Sequence, residues 1–387
     1  MGSTSSPHGV RGSARVPAGP DPVGTPVAVI GAGLAGSLLA LRLAEQIGGR
    51  HVALYLGTAI PSRDATAVSG GLVRGFETDL DQCRLAADSL AELRRHPALA
   101  DAAGYQESSA YYFLRPEINP DRQLAVLDDT LGGSARLLPA GQVARAIGLA
   151  PRPEGTFAVV ERHAGHINTD ALRRYAVTRA AQSGVRLHSE AVTSVGAGPT
   201  VTVGDGVRQH DVVVVAAGAW TGALVSVSLR TRRIQYGVYA LARPQLGCLV
   251  DDVSTLYGRP HGAGSVLLGV ATAAWGAAPG DDRPDPAYVD QVSEVARAVL
   301  DLDGRLPSPQ WSAAGVDCFA DEGGLRLRAV DDMPGVFSFT GGAGSAAKSV
   351  LASSRLAATS VCAAASGQEP QVPTPPVPVG RELGDQA

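Results

Sequence analysis

One stretch near the N-terminus constrains this chain more than any other: Val27 to Gln46, V-A-V-I-G-A-G-L-A-G-S-L-L-A-L-R-L-A-E-Q. Val27 to Ile30 is a run of four apolar residues. It suits a strand in a parallel sheet, where both faces are covered and no polar alternation is needed. Glycines follow at 31, 33 and 36, in the spacing G-x-G-x-x-G. Gly31 permits a tight turn, Gly33 lets a pyrophosphate approach the backbone, and Gly36 allows the next helix to lie close to the strand. Leu34 and Ala35 stand between them, and Leu38, Leu39, Leu41 and Leu43 continue the run as a helix whose N-terminus faces the anion. The glycine spacing is weak evidence by itself; closing a strand and opening a helix makes it a dinucleotide cradle.

Composition narrows the class. At 387 residues there is room for a large core and more than one domain. A net charge of −4 gives no electrostatic case for nucleic acid or an anionic membrane surface. No apolar run approaches the roughly 18 residues expected of a membrane span. Cys83, Cys248, Cys318 and Cys362 are far apart without a C-x-x-C pair, so neither a metal site nor a disulfide framework is expected. Reduced thiols in a cytoplasmic protein are the plain reading. The basic residues are otherwise all Arg, and Lys348 is the only lysine. Residues 1–24, rich in Gly, Ser, Pro and Arg, and the Pro-rich residues 367–387 read as disordered tails.

Along the chain, His51 to Leu56 reads as the second parallel strand. In dinucleotide folds an acid closing this strand binds the adenosine ribose, and here that place holds Leu56. Ser62, Arg63 or Asp64 in the next loop could substitute, as could backbone and water. Ala65 to Arg74 is small and hydroxyl-rich, which suits a loop lying against phosphates, and a helix is expected from Leu80 to Arg95. Tyr111 to Leu114 is a strand candidate. Asn168 and Thr169 are cap candidates for a helix from Asp170 to Ser183. Val185 to Val195, Val201 to Val203 and Asp211 to Ala217 follow as strands, the last ending beside Gly218 and Trp220. From Arg232 to Val270, β-branched and aromatic runs broken by turns read as antiparallel hairpins. A helix from Pro286 to Leu300, a strand from Gly335 to Thr340, a tight loop and a helix from Ala346 to Ala365 complete the pattern. The fold class is α/β: a Rossmann-like domain (25–100, 158–230 and 325–366) with an interleaved antiparallel-sheet substrate domain (101–157 and 231–324).

Four motifs in order carry a family resemblance: V-I-G-A-G-L-A-G-S (29–37), G-H-I-N-T-D-A-L (165–172), V-V-V-A-A-G-A-W (213–220) and P-G-V-F-S-F-T-G-G-A-G-S (334–345). Together they resemble the flavin-dependent amino acid oxidases, which include glycine oxidase, sarcosine oxidase and D-amino acid oxidase. The resemblance frames residues 27–365 and implies FAD. Related hydroxylases and halogenases carry G-D-A near the C-terminal flavin site, where this chain has Thr340-Gly341-Gly342-Ala343-Gly344; that favours the oxidase branch. Carried over by motif, Gly31, Gly33 and Gly36, with Leu34 and Ala35, meet the pyrophosphate. Arg63, Thr66, Gly71 and Leu72 belong to the second phosphate-facing loop, and Gly218 with Trp220 closes the sheet end. Gly342, Gly344 and Ser345 lie near the isoalloxazine. Cys318 is near where some sarcosine oxidases attach flavin, but at an imperfect spacing, so noncovalent FAD is expected.

Flavin amine oxidation moves a hydride equivalent from the carbon bearing nitrogen to the flavin, leaving the protein to orient the substrate and exclude water. A substrate carboxylate calls for a cation, ideally a guanidinium fork. Glycine oxidase-like sequences place an arginine in the loop where this chain has Gly344. Lys348 falls where sarcosine oxidase-like sequences have a substrate-binding lysine, and Arg74 resembles an arginine near their flavin ring. Tyr257 matches a substrate-contacting hairpin tyrosine, with Arg259 two residues along on the same strand face. Arg326 and Arg328 alternate likewise, toward cleft or solvent. His166 and His261 are candidate proton acceptors and Asp317 a candidate partner for a cationic amine, each with a structural role as the alternative. The resulting expectation is an oxidase of a small carboxylated amine: glycine, sarcosine or an N-substituted glycine such as an N-carboxymethyl amino acid of a biosynthetic pathway. Its products are glyoxylate and an amine after imine hydrolysis, with O2 reduced to H2O2. A dehydrogenase with another acceptor, or a non-catalytic flavin-binding subunit, stays open.

Overall fold

The computed structural model describes residues 25–57, 64–321, 323–344 and 346–369. Residues 1–24, most of the expected C-terminal tail, and Ser62, Arg63 and Ser345 lie outside the described residues.

Val27–Ile30 lies inside a six-stranded sheet of order Arg326–Ala329, Val336–Thr340, Val212–Val215, Val27–Ile30, Val52–Tyr55, Arg186–His188. All neighbours run parallel except the first, which is antiparallel to the second. The VAVI, VALY and VVVV strands are buried throughout, and alternate residues serve different layers. Val27, Val29, Leu54 and Val214 pack with Leu38, Leu39, Val350 and Leu351 of the helices Leu34–Ile47 and Ala346–Ala365. Ala28, Ile30, Val213 and Val215 pack with Val195, Val201 and Val203 of a three-stranded sheet on the opposite face. Coverage on both sides explains why these strands show no polar alternation.

The second layer is an eight-stranded sheet of order Trp311–Ala320, Leu229–Ala240, Ser265–Gly269, Tyr257–Pro260, Cys248–Asp251, Ala110–Phe113, Phe157–Glu161, Ala135–Pro139. It is antiparallel apart from the Cys248–Asp251 and Ala110–Phe113 pair. Tyr288, Val292 and Ala296 of the helix Pro286–Val299 cover it against Tyr239, Leu249 and Leu268. The helix Leu80–Arg95 forms at its expected bounds, capped by Asp79, which accepts from Gln82 N. Asn168 caps Thr169–Gln182 by accepting from Ala171 N.

Two readings are corrected. Residues 185–195 are two strands: Arg186–His188 extends the parallel sheet, and Val192–Gly196 turns away into the three-stranded sheet. Phe157–Glu161 is paired on both sides within the large sheet, so residues 158–161 belong to that layer instead of the Rossmann-like one. Leu229–Ala240 likewise runs unbroken across the 230/231 boundary. Apolar strand residues look alike in either layer, so composition does not mark these crossings. Among the described residues no helix is long and apolar enough to cross a membrane.

Candidate active site

A cavity of about 570 Å³ opens where the Val27–Ile30 and Val212–Val215 strands end and extends over the large sheet. The three cradle glycines have separable causes. Gly31 has φ of 104°, and a Cβ there would sit 2.7 Å from Ala216 O. A Cβ on Gly36 would overlap the Gly31 carbonyl. A Cβ on Gly33 would meet only Thr66 Oγ1, at 3.4 Å, because that position faces the cavity. The protein itself requires the first and third glycines, whereas the second keeps main chain open beside a helix N-terminus, as an anionic cofactor needs. This is the feature by which the cradle fits a dinucleotide.

The 64–74 segment closes over the cradle. Leu34 N donates to Thr66 Oγ1 at 3.0 Å, and Thr169 Oγ1 donates to Thr66 O at 2.6 Å. Ile167 N donates to Gly71 O at 2.8 Å, and Arg259 Nε donates to Gly70 O at 2.6 Å. Asp64 accepts from Ala67 N at 2.8 Å and pairs with Arg173 at 2.6 Å. Its carboxylate is therefore already engaged in holding the loop. Leu56 lines the cavity where a ribose-binding acid would stand.

Of the expected cofactor contacts, Gly31, Gly33, Leu34, Ala35, Thr66, Gly71, Leu72, Gly218, Trp220, Gly342 and Gly344 line the cavity. Gly36 lies behind it, packed on Gly31 and Ala216. Among the substrate candidates, Arg74, Tyr257 and Lys348 line the cavity, and Arg259 and Arg326 do not. Arg259 is a strut between the hairpin and the loop carbonyl of Gly70. Arg326 lies 3.6 Å from Asp81, and Arg328 donates to Thr340 O and Gly324 O. His166 and His261 are also absent from the cavity wall. Burial, with Arg259 and His261 nearby, pushes His166 down to about 4.

Arg74 and Lys348 are not isolated charges on the cavity wall. Buried Arg74 lies 2.9 Å from Glu77 Oε1 and over the Tyr112 ring at 5.0 Å. Lys348 Nζ reaches the same Glu77 oxygen at 2.5 Å. Burial and Arg74 push Lys348 down to about 8 against the opposing pull of Glu77. Burial alone would raise Glu77, but Arg74 and Lys348 outweigh it and hold the carboxyl below its ordinary value. Behind them buried Glu161 accepts from Gly75 N and Phe76 N at 2.8 and 3.1 Å, and burial raises its carboxyl.

Across the cavity, Tyr257 OH donates to Gln235 O at 3.0 Å, so this tyrosine presents its ring and commits its hydroxyl to backbone. Asp317 accepts from Cys318 N and Gly344 N at 2.8 and 2.7 Å, which ties its strand to the Gly341–Gly344 loop. Cys318 Sγ lies 2.8 Å from Thr340 Oγ1, and burial pushes the thiol up to about 11. Sequence reasoning missed Glu77, Arg232, Arg233 and Gln235. Glu77 is an anion among the expected cations, and its place three residues after Arg74 is the signal in the sequence. Arg232 and Arg233 resembled ordinary strand residues.

A parallel sheet ending in a glycine cradle, with a second sheet walling the same cavity, defines a dinucleotide-binding architecture with a substrate-sized space beside the cofactor site. Residues 26–360 match the family model DAO, FAD dependent oxidoreductase, and the chain belongs to that family. Its fold is similar to glycine oxidase from Bacillus cereus, with TM-score 0.67 and 21% identity over 89% of this chain and 96% of that one. It is also similar to L-proline dehydrogenase from P. horikoshii, with TM-score 0.72 and 14% identity over 91% and 96%. Iminodiacetate oxidase from Chelativorans sp. gives TM-score 0.64 and 18% identity over 90% and 97%. At such identities these neighbours share the fold. No curated protein sequence matches the chain.

Proposed function

We propose that this FAD-dependent oxidoreductase is an oxidase of a small carboxylated amine: glycine, sarcosine or an N-substituted glycine such as an N-carboxymethyl amino acid. The observation that carries the reading is the placement of Arg74 and Lys348 on the same cavity as the glycine cradle. Because the two share Glu77, the trio keeps one net positive charge, enough to receive one carboxylate.

The chemistry that bound FAD would supply is acceptance of a hydride from the carbon bearing nitrogen and return of the two electrons to O2 as H2O2. The main chain at Gly33, Leu34 and Ala35 and the N-terminus of Leu34–Ile47 would hold the pyrophosphate. Thr66, Gly71 and Leu72 would cover it, Gly218 and Trp220 would close the sheet end, and Gly342 and Gly344 would lie beside the ring. Arg74 and Lys348 orient the carboxylate, and the Tyr257 ring forms an apolar wall that limits water near the reacting carbon. The resulting imine hydrolyses to glyoxylate and an amine. The six-stranded layer carries the cofactor and the eight-stranded layer meets the substrate.

FAD is held noncovalently in this reading, because the Cys318 thiol is pushed up to about 11 and is almost wholly protonated near neutral pH. The four cysteines are free thiols, as suits a cytoplasmic protein. Sarcosine and N-carboxymethyl amino acids added without oxygen test the proposal. They should bleach the flavin, and air should restore it with release of peroxide and glyoxylate. Bleaching followed by slow reoxidation in air would instead identify a dehydrogenase.

A further inference from the structure

Among the described residues, four cations line the cavity: Arg74, Arg232, Arg233 and Lys348. Arg74 and Lys348 share Glu77, and Arg233 pairs with Asp281. Arg232 differs: among the described residues its guanidinium makes hydrogen bonds and ring contacts, and no carboxylate ion pair. Nε donates to Thr272 O at 2.7 Å, and Nη2 donates to the same oxygen. The group lies 4.8 Å from the Trp275 ring centroid and 5.8 Å from that of Phe319. Asp317 stands opposite Arg232 across the strand pair, yet its two oxygens accept from Cys318 N and Gly344 N. A guanidinium fixed by a carbonyl and by aromatic faces, without a counter-ion among the described residues, is a ready receptor for a carboxylate.

The wall of one cavity thus carries positive charge on two distinct sets of partners, Arg74 and Lys348 on Glu77 and Arg232 on Thr272 O. A monocarboxylated amine satisfies only one. Resting on the amine oxidase reading above, we infer that Arg232 is the subsite for a second carboxylate and that the preferred substrate is an amine bearing two. An N-carboxymethyl amino acid has this chemistry, with the secondary nitrogen between its carboxylates. The reaction is unchanged: the C–H bond beside nitrogen breaks, two electrons and two protons pass from the amine to O2 to give H2O2, and water hydrolyses the imine to glyoxylate and the remaining amine.

The test uses the flavin-loaded protein without oxygen. Binding of iminodiacetate and of sarcosine is measured calorimetrically for wild type, Arg232→Gln and Arg232→Lys, while the visible spectrum is followed. Gln keeps a donor for Thr272 O without the charge. Wild type should favour iminodiacetate by about 10- to 100-fold, the range set by one charge-assisted contact. That advantage should vanish in Arg232→Gln and survive in part in Arg232→Lys, with sarcosine affinity little changed. Equal wild-type affinities, binding of neither ligand, or an advantage that persists in Arg232→Gln overturns the subsite. If Arg232→Gln does not hold flavin, complete retention of the advantage in Arg232→Lys also counts against it, because a point charge does not replace the bidentate fork. A dicarboxylate preference without bleaching would remove the oxidase reading but keep the subsite; bleaching without preference would do the reverse.

Discussion

Lys348 Nζ lies 2.5 Å from Glu77 Oε1, the oxygen that Arg74 reaches at 2.9 Å. The chain's only lysine therefore meets the cavity with a counter-ion already in place. Glu161 is the other carboxyl whose charge acts on Lys348. Since Lys348 is pushed down to about 8, affinity for a carboxylate competitor should fall as pH rises through that value. The unfolded chain keeps this proton up to about the ordinary 10.5, so between the two values it binds more protons than the folded protein. This group therefore makes stability rise with pH in that window. Titrating a competitor by flavin spectral shift checks the first effect. Glu77→Gln should move the midpoint below about 8 and lower the melting temperature, and a pH-independent affinity would contradict this account.

Gly33 and Gly36 should fail differently. Gly33→Val adds atoms facing the cavity, so the protein should fold with a melting temperature close to that of apo wild type and purify without colour. Gly36→Val collides with Gly31 and Ala216 and should destabilise by about 1–3 kcal/mol or more, the range for overpacking. Circular dichroism melts and the visible spectrum distinguish the two outcomes.

Arg259 supports the loop carbonyl of Gly70 from outside the cavity. Arg259→Met should weaken FAD retention and lower the melting temperature, with substrate KM little changed once flavin is saturating. Arg326→Gln, at a site whose partner Asp81 is 3.6 Å away, should leave kcat/KM within about twofold. Steady-state kinetics with added FAD measure both.

Denaturing the holoprotein with acid should release flavin into the supernatant, and Cys318→Ser should still purify yellow. Flavin that remains with the precipitate in wild type and is freed by that substitution would refute noncovalent binding.

Much of this was legible in the sequence where one local rule dominates. The G-x-G-x-x-G turn, the Asn168 cap and the buried VVVV strand each follow from a few adjacent residues. The crossing after Glu161 was not legible, because Ala158 to Val160 would suit either sheet. Cavity cations were only half legible. Arg74 and Lys348 were found by motif, whereas Arg259 turned to a carbonyl and Arg232 to the cavity, a difference set by which strands pair and invisible in strand periodicity.

Anaerobic mixing of the holoprotein with sarcosine and N-carboxymethyl amino acids, followed by admission of air, tests the central claim most directly. The account predicts loss of the visible flavin absorbance, then its return with equal amounts of peroxide and glyoxylate. A flavin that stays oxidised with every carboxylated amine would contradict it.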